Sequence, residues 1–439
     1  MVELTKINAG IYRQIAGKDN KISPEEWDRA GIEENGMSLF HKEVDRDHDG
    51  LVSSSELSAK ILSAWQDQVF GQNNLHSRPA FIDQYLASFT AETTFVAEYE
   101  YNNFFFTVPA DANSNVFSEQ IKIAEYVLLS SPDTNIVFMA ANTEIAAELS
   151  SRIGERNPEY LASGRIKIEI GSNITEYWAQ DLGESSASGY VVGWPAIGFE
   201  DRNRGVPFSE TQMEGFNMEQ VVQMPAVLQG GNVTTTTIGG RKVVIIGSND
   251  ARHTKKIYHD KYGYDISTEE IKLIYKTTFG ADDVIILGEE KQQPKYIFHI
   301  DQAVFFPSDG IAVMMTPTYE PSGYYEESTV NALQMYKQQL EDYGFSVIEI
   351  PTTYEHIFDY QAYTNSVVIQ RNIFEVNEGS NIIMPSFGDT ELENRIAAVL
   401  EEHGMTVLFV PDYAFKWQGN IHCVTGPLPS EKKPQKAKV

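Results

Sequence analysis

Asp389-Thr390-Glu391-Leu392-Glu393-Asn394-Arg395-Ile396-Ala397-Ala398-Val399-Leu400-Glu401-Glu402-His403-Gly404, followed by Met405-Thr406-Val407-Leu408-Phe409-Val410-Pro411, decides the fold. Leu392, Ile396, Val399 and Leu400 share one helical face, Asp389 or Thr390 caps its start, and Gly404 stands where a left-handed stop is wanted. A strand must follow. The same unit runs from Thr329 to Gly344, with Val330, Leu333, Leu340 and Tyr343 apolar, into Phe345-Ser346-Val347-Ile348-Glu349-Ile350-Pro351. A weaker copy spans Ile145 to Ile153 and continues into Ile166-Lys167-Ile168-Glu169-Ile170. Further apolar runs at 136–139, 243–246, 284–287 and 311–314 alternate with helical segments and Gly/Asn/Asp turns from about Thr93 onward. The class is α/β, and the repetition hints at internal pseudo-symmetry.

The chain has 439 residues, 34 Lys+Arg against 62 Asp+Glu, a net charge of −28 and 42% hydrophobic residues. Two or three domains fit. We read residues 1–68 as a small helical unit, 69–90 as a linker, 91–429 as the large α/β domain and 430–439 as a disordered tail carrying Lys432, Lys433, Lys436 and Lys438. So much acid disfavours a nucleic-acid partner, because phosphate binding needs a basic face, and it favours cations or basic peptides. The single cysteine, Cys423, excludes an internal disulfide. The start, MVELTKINAGIY, lacks a secretory apolar stretch, and no window reaches the ~18 apolar residues of a membrane span. A soluble, cytoplasmic protein with no membrane partner is expected.

Asp45-Arg46-Asp47-His48-Asp49-Gly50-Leu51-Val52-Ser53-Ser54-Ser55-Glu56 fits the twelve-residue EF-hand loop. Its Ca²⁺ ligands would be Asp45, Asp47, Asp49, the Leu51 carbonyl, Ser53 through water and a bidentate Glu56, with Gly50 at the sharp turn. Such loops pair through their eighth position, which sets Ile22 opposite Val52. The partner loop, Ile15 to Glu26, offers oxygen only at Asp19, Ser23 and Glu26. Structural pairing with weak or no calcium binding is expected there.

Four later segments carry unusual polar residues: Trp178-Ala179-Gln180-Asp181, Asp201-Arg202-Asn203-Arg204-Gly205, His299-Ile300-Asp301 and Gly419-Asn420-Ile421-His422-Cys423. Alone, each is weak. On a strand of period two, His299 and Asp301 would point to one face. Together, in this order over half the chain, the segments resemble the guanidino-group-modifying enzymes of the pentein fold. The segment from Gly419 to Thr425 is similar to the cysteine segment of agmatine deiminases, and Gln229-Gly230-Gly231-Asn232 to a turn of agmatine and peptidylarginine deiminases. Gln180 before the aspartate, and Arg202-Asn203-Arg204-Gly205, tilt the resemblance toward the peptidyl enzymes. It implies a five-bladed α/β propeller for the large domain; the small all-α EF-hand domain read from the loop before it departs from the vertebrate peptidyl enzymes, which have immunoglobulin-like domains there. The resemblance also implies substrate contacts by Trp178, Arg202, Arg204 and Asn232, and a second calcium held by Gln180 and Glu184. Val233 and Thr234 depart from it, because an acidic residue is expected after the Gly-Asn turn; Trp417 and Gln418 depart at positions where vertebrate enzymes have basic residues.

The chemistry suits the residue types. A guanidinium is planar, cationic and rich in donors, so two carboxylates, Asp181 and Asp301, form its natural clamp. Its carbon is a poor electrophile and calls for a thiolate, for which Cys423 is the one candidate. His299 would protonate departing ammonia and then activate water. The expected activity is calcium-dependent hydrolysis of peptidyl-arginine in a peptide or protein to peptidyl-citrulline, through a covalent Cys423 amidino-thioether. The alternative is a deiminase of agmatine, free arginine or another small guanidine. A calcium-responsive binding protein on a retired enzyme fold ranks third, against the joint presence of Cys423, His299, Asp181 and Asp301.

Overall fold

A computed structural model describes residues 2–3, 9–16, 21–34, 37–38, 44–45, 51–53, 57, 78–88, 95–171, 174, 177–186, 189–195, 212, 221–288, 291–317, 327–370, 380–412, 416 and 419–428. Near the N-terminus, helices Ala9–Ala16 and Pro24–Ala30 lie around a small core of Tyr12, Ala16, Ile22, Trp27, Ile32, Val44, Val52 and Leu57. Ile22 and Val52 form the expected antiparallel bridge, each backbone N–H donating to the other's carbonyl at 2.9 Å. Ser23 and Glu26 build a capping box on the second helix, which uses the oxygens that a first loop would have offered a cation. In the second loop Asp47, Asp49 and Glu56 lie outside the described residues. This unit is not all-α: β1 (Val2–Glu3), β2 (Ile32–Glu34) and β3 (Met37–Ser38) make a three-stranded sheet, because Gly31 ends the preceding helix left-handed (φ 59°) and turns the chain into extended backbone.

The large unit repeats one pattern in five sheets among the described residues: a strand antiparallel to the second, and the second parallel to the third. The strands are β4 (Asn103–Val108), β5 (Asn135–Ala140), β6 (Ile166–Ile170), β7 (Glu184–Ser186), β8 (Gly189–Trp194), β9 (Val221–Val227), β10 (Val233–Ile238), β11 (Arg241–Gly247) and β12 (Asp283–Leu287). They continue with β13 (Val304–Ser308), β14 (Ile311–Pro317), β15 (Ser346–Thr352), β16 (Val367–Gln370), β17 (Ser380–Ser386), β18 (Thr406–Pro411) and β19 (Gly426–Leu428). The sheets are β7-β8-β9, β10-β11-β12, β13-β14-β15, β16-β17-β18 and β19-β4-β5-β6. Helices provide the crossovers. Glu327–Tyr343 leads from β14 to β15 and Thr390–Glu402 from β17 to β18, as the two sequence copies require. Asp389 accepts the Leu392 N–H at 3.0 Å, and Gly344 and Gly404 take φ of 113° and 78°, so a side chain at either would be strained. The weaker copy is helix Thr143–Arg156 followed by β6.

Two features position the site. β19 pairs antiparallel with β4, Gly426 opposite Phe105, so the end of the chain lies beside the start of this unit. Residues 80–88, expected within a linker, are instead a helix whose Phe81, Ile82 and Tyr85 join the core of Ile271, Tyr275 and Phe279. The Tyr85 hydroxyl reaches Thr278 at 2.6 Å, so the packed body begins by residue 80. Among the described residues, no helix is long and apolar enough to cross a membrane.

Candidate active site

The first strand of each of the five sheets is preceded by a tight turn, and each turn carries one of the polar residues singled out by sequence or geometry. Gln180–Leu182 precedes β7, Gly230–Asn232 precedes β10, Ile300–Gln302 precedes β13 and His422–Val424 precedes β19. A fifth turn, closed by the Asn365 N–H on the Ala362 carbonyl at 3.1 Å, precedes β16. Asp181, Asn232, Asp301, Asn365 and Cys423 therefore sit at comparable places in five repeats. His299 is extended backbone capping a 3₁₀ turn rather than part of a strand, because its N–H bonds the Gln302 side chain at 3.2 Å.

His299, Asp301 and Cys423 are buried, and one donor atom from each lies within 4.8 Å of the others. Cys423 Sγ is 3.7 Å from Asp301 Oδ2 and accepts from Asn365 Nδ2 at 3.3 Å. Asn365 Oδ1 in turn accepts the backbone N–H groups of His422 (2.9 Å) and Cys423 (3.3 Å). One amide thus fixes the cysteine backbone and offers its sulfur a donor. Burial first, then the carboxylates of Asp301 and Asp181, push the thiol well above its ordinary range, and the Asn420 and Asn365 hydrogen bonds offset only part of this. These effects favour the thiol at Cys423, and a cation beside both carboxylates would favour the thiolate. Both ring nitrogens of His299 and Asp301 Oδ1 are buried with no hydrogen-bond partner among the described residues. Such atoms are costly to leave unmatched, which suits a cavity awaiting a planar polar ligand.

Asn232, expected to touch substrate, is used up internally. Its Oδ1 accepts from Gln293 Nε2 (3.0 Å) and the Ile300 N–H (3.1 Å), and its Nδ2 donates to Asp250 Oδ1 (2.9 Å) and Gln293 Oε1 (3.1 Å). It holds the turn that carries His299 and Asp301. Asn232→Ala would remove its bonds to Asp250, Gln293 and the Ile300 N–H at once, so the expected loss is about 3 kcal/mol of unfolding free energy, seen as a lower urea midpoint, with activity falling alongside. An unchanged midpoint would remove this role.

Trp178 is half-buried and packs on Gly419, where an added Cβ would meet its ring at 2.4 Å, so it lies against the cysteine segment. Asp181 is half-buried and acts on the Cys423 thiol electrostatically. Gln180 and Glu184 do come together, but as a hydrogen-bonded pair in which Gln180 Nε2 donates to Glu184 Oε2 at 3.4 Å. Glu184 is driven toward its neutral acid, chiefly by burial and then by Glu98. Glu98 is bonded through one oxygen to Thr234, just past the Gly-Asn turn, and through the other to His422. Gln180 Oε1 is buried with no hydrogen-bond partner among the described residues. With an imidazole on Glu98 and few free oxygens, the set does not fit a calcium ion, which takes six to eight oxygen ligands. Arg202, Arg204, Trp417 and Gln418 lie outside the described residues.

Sequence reasoning missed Glu98 and Asn365, and quoted His422 without giving it a task. Glu98 stands 324 positions from His422, so no local pattern could join them.

The sequence profile of the Porphyromonas-type peptidyl-arginine deiminases matches residues 119–429. Among solved structures, an agmatine deiminase from C. jejuni is similar at 18% identity and a TM-score of 0.53, over 77% of this chain and 96% of the other. An agmatine deiminase of Enterococcus faecalis is similar at 15% identity and a TM-score of 0.54, over 77% and 96%. At these identities the likeness speaks to the fold. No curated protein matches the chain. With the profile covering the turns that bring Asp181, His299, Asp301 and Cys423, the chain belongs to the Porphyromonas-type peptidyl-arginine deiminase family, a family of guanidino-group hydrolases on the pentein fold.

Proposed function

We propose that this chain hydrolyses the guanidinium of a small guanidine, such as agmatine or free arginine, to the ureido compound and ammonia. The observation that carries the reaction type is the buried meeting of Cys423, His299 and Asp301, with Asp301 Oδ1 and both imidazole nitrogens unmatched among the described residues. The guanidinium N–H groups bond Asp181 and Asp301, and the cation lowers the pKa of the Cys423 thiol, whose proton passes to His299. Cys423 Sγ attacks the guanidinium carbon, His299 returns a proton to the departing nitrogen, and ammonia leaves an amidino-thioether on sulfur. His299 then takes a proton from water, the hydroxyl adds to the same carbon, and the C–S bond breaks to give the ureido product. Asn365 donates to sulfur as it gains and regains negative charge. Trp178 lies along the alkyl chain of the substrate.

Two solved structures of this fold are named agmatine deiminases, which supports a small substrate. Peptidyl-arginine is the second reading, supported by the family description and by Arg202-Asn203-Arg204, whose guanidinium groups would hold peptide carbonyls. The loop from Asp45 to Glu56 is assigned, as part of the same proposal, to a Ca²⁺ ion that stabilises the N-terminal unit rather than serving the chemistry. The test is ureido formation from agmatine, arginine and an N-blocked arginine peptide, each with calcium and with chelator. Turnover of a small guanidine that survives chelation is expected, with the thermal midpoint falling by a few degrees when calcium is removed. Turnover of the blocked peptide alone would replace the proposal by the second reading, and Arg202→Ala with Arg204→Ala should then abolish it. Activity lost on chelation would make calcium part of the reaction.

A further inference from the structure

Asp301 has two oxygens with different fates. Oδ2 accepts from His422 Nδ1 at 3.0 Å and faces Cys423 Sγ at 3.7 Å, whereas Oδ1 is buried and has no partner among the described residues. His422 is itself held at its far end, Nε2 bonding Glu98, whose second oxygen accepts from the Thr234 hydroxyl. Glu98 lies on a 3₁₀ turn leading toward β4, His422 on the turn leading into β19, and the pairing of those strands keeps the two in reach. Glu98, Asp301 and His422 line one internal cavity together with Gln180.

An imidazole whose two nitrogens both face ionised carboxylates must carry both protons, because neither acceptor has one to give. We propose that His422, clamped by Glu98, is a positioning residue: as an imidazolium it ties down Asp301 Oδ2 so that Oδ1 is presented to a guanidinium, and it offsets carboxylate charge beside the Cys423 sulfur. This deepens the deiminase reading and rests on it for the identity of the ligand of Asp301. The titratable groups that face His422 are Glu98 and Asp301, which bond it, and Glu184 of β7; Tyr101 and Glu100 lie with Glu98 and Glu184, and Asp301 and Asp181 act on the adjacent Cys423. Burial opposes the His422 charge, but Glu98 and Asp301 outweigh burial and hold the imidazolium up to about 10. The Glu184 carboxyl, driven toward its neutral form, does not compete for it.

The sign follows. A raised value means the charge is present below it and lost above it, so the intact pair should keep His422 charged throughout the ordinary working range. Glu98→Gln removes one carboxylate at nearly constant shape and should bring the loss of charge at least about one pH unit lower. His422→Asn removes the charge at every pH.

The test uses the full chain and three readouts: the imidazole ¹⁵N shifts of His422 against pH, the pH profile of ureido formation, and alkylation of Cys423 by cationic chloroacetamidine relative to neutral iodoacetamide. The last measures orientation of a planar cation by Asp301 without requiring turnover. For Glu98→Gln we expect a new basic limb in the activity profile that coincides with the His422 titration. The amidine preference should fall roughly tenfold across that limb, and by a similar factor at all pH values in His422→Asn. Profiles and preferences that superimpose on those of the parent protein, with only thermal stability lowered, would reduce the pair to a structural ion pair and overturn the proposal. Absence of ureido product from every guanidine, with the amidine preference still falling as stated, would instead sink the deiminase reading and leave the positioning arm standing.

Discussion

Cys423→Ala is expected to lower ureido formation by roughly four orders of magnitude or more, the scale seen when a nucleophile is deleted from a catalytic unit. No neighbouring group can substitute. Cys423 is the sole cysteine of the chain, and in the proposed mechanism the His299 imidazole carries protons for the sulfur rather than attacking carbon. The fold should survive, since a buried thiol exchanged for a methyl leaves only a small cavity and frees the Asn365 N–H. A companion result follows from the direction of the thiol shift. In the ligand-free protein, alkylation by iodoacetamide should be slow at neutral pH and keep rising past the ordinary thiol range, because burial, Asp301 and Asp181 all favour the protonated form. A plateau near neutral pH would show that the sulfur is already ionised without substrate, and the substrate-assisted step would have to be abandoned.

Gly231→Ala should cost about a hundredfold in kcat. Its Cβ would lie 2.5 Å from His299 Nδ1 and 2.9 Å from Asp301 Oδ2, closer than such atoms approach, so the imidazole and the carboxylate must both move. Displacements near 1 Å at reacting groups carry penalties of about this size. The backbone at Gly231 does not have positive φ, so the effect is steric rather than conformational. Gly154→Ala is the control: it lies in helix Thr143–Arg156, where the Cβ would meet only Leu161 at 4.0 Å, and it should leave activity alone and stability equal or slightly raised. Equal activity of the two variants would mean that the turns tolerate rearrangement.

What could be read in the sequence was what depends on short range. The helices before β15 and β18 declared themselves by apolar spacing and glycine stops, and Ile22 found Val52 through the eighth loop position. Cys423, Asp301 and His299 were readable as chemistry, and they do meet, although the shared strand invoked for the last two is a 3₁₀ turn. Asn365 escaped because Tyr363-Thr364-Asn365-Ser366 reads as an ordinary polar turn. Its importance comes from backbone groups 57 and 58 positions away. Asn232 shows the opposite failure. Its motif signalled that it matters, but only the geometry of Asp250, Gln293 and Ile300 around it says that it holds the site together instead of the substrate.

The five turns that converge on the site come from five separate repeats, and the last of them is fixed only when β19 lies against β4. Each repeat can form its own sheet and helix from nearby contacts, whereas joining Glu98 to His422 closes a loop of 324 positions. Loop closure of that length is paid in chain entropy before any packing returns it, and contacts of long separation form late. On refolding, secondary structure should therefore recover well ahead of the reactive centre, and a nascent chain would carry four of its five polar turns without the nucleophile's chemistry. Capacity to react becomes a report that the two ends of the body have met, so the cysteine is withheld until the molecule around it is complete.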